Sequence, residues 1–216
     1  LEELAPFTPE ERIIEYRLRA PGAAPLAALS LGGFIDETAS ESPAPGGGSV
    51  AAAVGALGAA LGAMVPNLSA HKRGWDERWE EFSDWAEQGQ ALKAELVRLV
   101  DEDARAFSQV MSALALPRDT AEEQAVRKAA LERSNLEAIA VPLKVMRTAV
   151  GAFDLLEAMA AKGNPASVSD AGVGALCIRA AVRGAWLNVR INLPGLSDKA
   201  KGAAFIAEGQ KLMEEA

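Results

Sequence analysis

Apolar positions along the chain recur three and four residues apart, and almost nowhere alternate at period two with β-branched or aromatic residues. The pattern predicts packed helices and no sheet. Thr8 as a cap, Pro9 at the first helical position and Glu11 closing a capping box open a short helix to about Leu18. Pro21, Gly22 and Pro25 then make a linker, so residues 1–29 read as a tail or connector and 30–216 as the main domain. Ser30 caps a short helix to about Ser40. Pro43, Pro45 and the glycines Gly46, Gly47 and Gly48 force a loop, and Ser49 is read as the cap of the helix after it.

From Val50 to Val65 no residue is charged, and Gly55, Gly58 and Gly62 offer one face on which another backbone can pack closely. A membrane span needs roughly 20 apolar residues. This run is shorter and ends at Pro66, Asn67 and His71, so it is read as a buried central helix and the membrane is set aside. Trp75 to about Leu116 reads as one long amphipathic helix, or two joined by a kink. Its stripe comprises Trp75, Trp79, Phe82, Leu92, Leu96, Leu99, Asp103, Ala106 and Val110. Thr120 and Glu123 form a second capping box for a helix to about Ala140, and Pro142 kinks it or starts the next, which ends at Gly163. Ser169 or Asp170 caps a helix to Asn188 or beyond. Pro194 and Gly195 break the chain, and Ser197 or Asp198 begins the last helix.

Composition sharpens this picture. Half of the 216 residues are apolar but only 5% are aromatic, so small side chains fill the core and favour close helix packing. A net charge of −8 and the lack of a basic cluster interleaved with aromatics argue against nucleic acid as a partner. Cys177 stands alone in an apolar stretch. It is read as a buried, inert thiol in a reducing, cytoplasmic compartment, with no intrachain disulfide. One Cys and one His cannot build a thiolate or imidazole metal cage, though a carboxylate site for a hard cation stays open. Leu1 is not an initiator methionine, so the N-terminus reads as a boundary or a cut through a longer protein.

Three places break the rules of an ordinary helical core. Gly46, Gly47, Gly48 and Ser49 sit at the mouth of a charge-free helix, where glycine amides and the helix N-terminus can cradle a carboxylate or phosphate; the plain alternative is a flexible loop with an ordinary serine cap. Asp103 lies on an apolar stripe, where desolvation raises a carboxylate toward general acid/base work unless an arginine pairs with it. Asn188 and Asn192 fall one turn apart and Arg183 and Arg190 two turns apart, a set that suits a flat heteroaromatic ring bearing carboxylates; solvated arginines are the alternative. His71, Lys72 and Arg73 form a compact basic cluster. It steers a polyanion or is only a solvated helix end, and His71, the sole histidine, is a proton-transfer candidate.

Three stretches, in order, carry a resemblance. SPAPGGGSVAAAVGALGAALGAMVPNLS from Ser42 to Ser69, DEDARAFSQVMSALALP from Asp101 to Pro117, and GNPASVSDAGVGAL leading to GAWLNVRINL together resemble the cyclodeaminase/methenyltetrahydrofolate cyclohydrolase family. The resemblance implies an all-α, multihelical, dimer-forming domain that binds folate near the Gly-rich loop and the subunit interface, with no cofactor beyond the tetrahydrofolate substrate. It also implies that Gly46 to Ser49, Asp103, Asn188 and Arg190 lie at or near the site. Where the family pattern reads like LTYGKK, this chain has LSAHKR, and Pro66 inside the buried helix also departs from it.

LEELAPFTPEERIIEYRLR resembles the connector that joins a glutamate formiminotransferase domain to a cyclodeaminase domain. It favours cyclodeamination of 5-formiminotetrahydrofolate, with or without a polyglutamate tail, in a homodimer or higher oligomer. Methenyl cyclohydrolysis is the alternative, and a non-catalytic folate-binding or oligomerisation module the third reading. In the first, Asp103 and His71 transfer protons, while Gly46, Gly47, Gly48, Ser49, Lys72, Asn188, Arg190 and Asn192 hold the substrate.

Overall fold

A computed structural model describes residues 25–216, so the helix expected at Thr8 to Leu18 and most of the linker after it lie outside the described residues. The α-helices run α1 Leu31–Ala39, α2 Gly47–Ala70, α3 Trp79–Leu114, α4 Ala121–Val150, α5 Phe153–Lys162, α6 Val168–Asn192 and α7 Lys199–Glu215. No strand forms among the described residues. Helices α2, α3, α4 and α6 make a bundle in which α2 packs on α3 and α6, and α4 packs on the same two from the other side. Helices α2 and α3 run antiparallel, since Gly89 of α3 meets Ala63 of α2 near one end and Gly48 meets Asp103 near the other.

Local signals set most of the boundaries. The Ser30 hydroxyl accepts the Gly33 N–H, Thr120 and Glu123 cap α4 reciprocally, and the Asp198 carboxylate accepts the Lys201 N–H. Other starts and stops differ from the sequence reading. Gly46, not Ser49, is the cap of α2, because two glycines in the first turn cost helix less once neighbours pack on them. Asn164 caps a 3-10 turn at Pro165–Ser167 that feeds α6, so neither Ser169 nor Asp170 is its cap. Trp79 is 59% exposed and leaves the expected stripe, whereas Phe82 is fully buried and stacks on Trp75 at 5.6 Å. Cys177 is half-buried on α6 rather than enclosed.

Both internal prolines are absorbed. Helix α2 continues through Pro66 and α4 through Pro142. A proline lacks the N–H that would bond the carbonyl four residues back, so Pro142 orphans the Ala138 carbonyl. The Asn192 side-chain amide donates to that carbonyl at 2.8 Å. At the far end of α2, buried Ser69 donates to the Val65 carbonyl at 2.7 Å and accepts the Asn164 N–H at 2.8 Å, tying α2 to the turn before α6.

Helix α2 spans 24 residues and is long and apolar enough to cross a membrane. In this bundle it is a core helix, since Ala52, Ala59 and Val65 are fully enclosed and α2 packs on α3 and α6. Close approach requires glycine at two contacts. A Cβ on Gly58 would stand 2.8 Å from the Gly174 carbonyl oxygen of α6, and one on Gly89 would stand 2.8 Å from Ala63 Cβ and 2.9 Å from its Cα. Both clashes involve backbone, which cannot turn aside as a long side chain can, and at Gly89 they take in the Cα and N of Ala63 together. Gly89→Ala is therefore expected to destabilise the bundle by about 1–3 kcal/mol, read as a lower midpoint in thermal unfolding; an unchanged midpoint would refute the tight α2–α3 spacing.

Candidate functional site

The first turn of α2 meets α3 and α6 at one point. Ser49 is fully buried in that turn, and its hydroxyl donates to Asp103 Oδ2 at 2.9 Å, with its backbone N–H reaching the same carboxylate. The fit is close because Gly48 has no side chain, and a Cβ there would stand 2.1 Å from Asp103 Oδ1. Across the niche, Asn188 of α6 stands near Gly47, its Nδ2 at 3.5 Å from where a Cβ would lie. That amide donates to the Gly184 carbonyl at 2.9 Å, and its carbonyl oxygen, at 3.8 Å from the same point, has no partner in the chain among the described residues. Gly46 and Gly47 are exposed, so the niche opens to solvent at the start of the helix.

The first turn of α2 thus meets a carboxyl group, and it is the protein's own, held by the hydroxyl and the backbone N–H of Ser49. Asp103 caps α2 from a neighbouring helix, replacing the serine cap expected at Ser49. Burial pushes the Asp103 carboxyl above the usual carboxylate value, more than the hydrogen bonds from Ser49 pull it down. No arginine pairs with it among the described residues; the residue touching it is a serine. A carboxylate raised in this way, beside exposed backbone amides, is equipped to take up and return a proton.

The remaining candidates lie elsewhere in the chain. His71 is the exposed C-cap of α2, 23 residues from Gly48, roughly 35 Å along the axis. Lys72 packs its ammonium over the Trp75 ring at 4.1 Å at that same far end. Neither reaches the niche of its own chain. Asn192 is committed to the carbonyl freed by Pro142, and Arg190 is exposed about 200° round α6 from Asn188. The structure gathers Gly47, Gly48, Ser49, Asp103 and Asn188, and disperses His71, Lys72, Arg190 and Asn192.

Comparison with known proteins bears on this niche. The formiminotransferase-cyclodeaminase family model matches residues 30–211. The chain belongs to that family. It is 43% identical to a mouse (Mus musculus) formimidoyltransferase-cyclodeaminase over 92% of its own length, and spans 37% of that relative. It is 40% identical to a methenyltetrahydrofolate cyclohydrolase from Methylorubrum extorquens, over 85% of this chain and 88% of the relative. A crystal structure of formiminotetrahydrofolate cyclodeaminase from Thermotoga maritima matches with a TM-score of 0.75 at 31% identity, covering 87% of this chain and 90% of that one.

Ser49→Ala removes a hydrogen bond that stabilises the ionised Asp103 and leaves burial in place, so the Asp103 value rises further. If ionised Asp103 is the working form, the acid limb of the kcat/KM profile moves to higher pH in this variant. A profile that stays where it is would remove Asp103 from the rate-determining proton transfer.

Proposed function

We propose that the domain converts 5-formiminotetrahydrofolate to 5,10-methenyltetrahydrofolate and ammonia. The observation that carries this reading is the raised, solvent-reachable Asp103 carboxylate held against the first turn of α2. Substrate N10 attacks the carbon of the protonated formimino group (C=NH2+), leaving an amino group on the tetrahedral carbon and closing a five-membered ring. The N10 proton passes to the Asp103 carboxylate, and the tetrahedral carbon then expels its amino nitrogen as ammonia, protonated by the carboxylic acid just formed. With His71 at the far end of α2, one group performs both transfers, each worth about 10²–10⁴-fold in rate. The Gly47 N–H and the Asn188 side chain supply polar contacts for the folate ring.

The full-length relatives named for two activities support a transferase partner domain for this one, and the tail in residues 1–29 fits a connector. Helix α6 leaves Val173, Leu176, Leu187 and Ile191 exposed on one face beside exposed Leu57 of α2. Such a face suits a second copy of the chain as its cover, and a sedimentation mass of one chain at micromolar concentration would remove that part of the reading.

Methenyl cyclohydrolysis is the second reading, favoured by the stand-alone cyclohydrolase relative that the chain nearly covers. In it, water adds to the methenyl carbon and the ring opens to 10-formyltetrahydrofolate. Mixing the protein separately with 5-formiminotetrahydrofolate and 5,10-methenyltetrahydrofolate distinguishes the two. The first reading predicts methenyl absorbance rising with one ammonia per turnover, and a loss of about 10²-fold or more in Asp103→Asn. Decay of the methenyl signal alone indicates the cyclohydrolase, and no change with either substrate would refute both.

A further inference from the structure

Three contacts, evenly spaced along α3, mark the row of that helix that lies against α2. Gly89 faces Ala63, Leu96 faces Gly55 and Asp103 faces Gly48. Helix α2 starts at Gly47, so the row outlasts its partner, and α3 runs on to Leu114, roughly 17 Å beyond Asp103. Before Asp103 the row is closed, with Leu96 and Leu99 fully buried. Past it the same face carries Phe107, Val110 and Leu114, and Phe107 is 41% and Leu114 45% exposed. An apolar row thus continues without α2 over it from the turn after Asp103, beside the exposed Gly46 and Gly47.

Phe107 is the aromatic member of that row and the one nearest the niche. It stands four residues on from Asp103, which sets the two Cβ atoms about 5–6 Å apart. Helical side chains lean toward the N-terminus of their helix, so the Phe107 ring tips back toward Asp103. On the α2 side the space is clear, since a Cβ added at Gly46 would meet nothing within 4 Å. A flat group entering beside Asp103 finds a ring on one side and bare backbone on the other.

On the folate reading above, N10 is an aryl amine, and its p-aminobenzoyl ring begins one bond from the nitrogen. With Asp103 at roughly 3 Å from N10 to take its proton, that ring lies within about one helical turn of Asp103, where Phe107 stands. The orientation of the ring also bears on rate. While nitrogen and ring are coplanar the N10 lone pair is drawn into the ring and its para carbonyl, and it attacks best when the ring is turned. We infer that Phe107 is the platform on which the p-aminobenzoyl ring of the substrate lies, and that the stacked ring aims the N10 lone pair at the formimino carbon. This assignment rests on the folate reading.

p-Aminobenzoyl-glutamate, which carries the ring but neither the pterin nor a reacting carbon, tests the platform alone. It is titrated into the full chain by calorimetry and by the ultraviolet band of its benzoyl chromophore, which stacking is expected to shift and weaken. Phe107→Ala is expected to bind the fragment about tenfold less tightly. Phe107→Tyr should bind it as the parent does, and Phe107→Leu, which keeps apolar bulk without a ring face, should lose the change in the band. With 5-formiminotetrahydrofolate, kcat of Phe107→Ala is expected to fall by a larger factor than KM rises; a change in KM alone would overturn the aiming of N10. Should the alanine variant lose its helical spectrum, the leucine and tyrosine variants carry the test. Equal fragment binding in all four proteins, or a band change that survives in Phe107→Leu, overturns the platform. So does a lower sedimentation mass of Phe107→Ala with fragment binding intact, which would give the row to a second copy of the chain. Because the fragment has no reacting carbon, Phe107-dependent binding beside a silent turnover assay would sink only the reaction and leave the platform standing.

Discussion

The spacing of α3 and α6 around α2 governs the rest of the structure. An aspartate side chain is short, so Asp103 reaches Ser49 only because the two backbones nearly touch, and they do so because Gly48 carries no Cβ. The same interface is held close at its other end by Gly89 against Ala63, and the α2–α6 contact by Gly58 against Gly174. Small residues in the core therefore do more than save volume. They deliver a backbone N-terminus to a carboxylate that would otherwise face a wall of side chains.

Asp103 holds two opposed roles at once. As a cap it is favoured ionised, since it accepts from Ser49 and neutralises the first turn of α2. As a buried group it is favoured protonated, and burial prevails, so its value in the folded chain lies above the ordinary carboxylate value. The folded protein then binds this proton more tightly than the unfolded chain does. The resulting contribution to stability is fully present below the ordinary carboxylate value and is lost as pH rises through the raised one. Wherever Asp103 ionises, the bundle carries a charge its surroundings disfavour. A neutral amide would relieve that conflict but could not take up and return a proton, which is the usual sense in which function and stability compete at one residue.

Much of the fold was legible because it is written locally. The capping box at Thr120 and Glu123, the caps at Ser30 and Asp198 and the breaks at Gly163 and Pro194 each depend on a few neighbouring residues. The start of α2 was not legible, since a run of three glycines reads as a loop until Asp103, 54 residues on from Ser49, arrives to cap it. The site was half visible. An aspartate in an apolar stripe and glycines before a buried helix break local rules and announced themselves. The asparagines looked alike in sequence, yet Asn188 faces the niche while Asn192 answers a carbonyl orphaned by Pro142; a proline 50 residues earlier in the chain was the signal for it. His71 and Lys72 lie apart from the niche of the same chain because a charge-free helix separates them from the glycines by its whole length.

Cyclodeamination and cyclohydrolysis both pass through a tetrahedral carbon and need a proton removed and then returned, so one carboxylate serves either. On the proposed reading the choice between them is then not made at Asp103. It is made by whether water can reach the methenyl carbon while ammonia leaves, and Gly46 and Gly47, at the mouth of the niche, are exposed in the single chain. On the proposed reading, water is excluded by whatever lies over that mouth, the bound folate itself or a second copy of the chain. Under the reaction proposed above, a domain of this design changes its chemistry through its cover while keeping the same carboxylate.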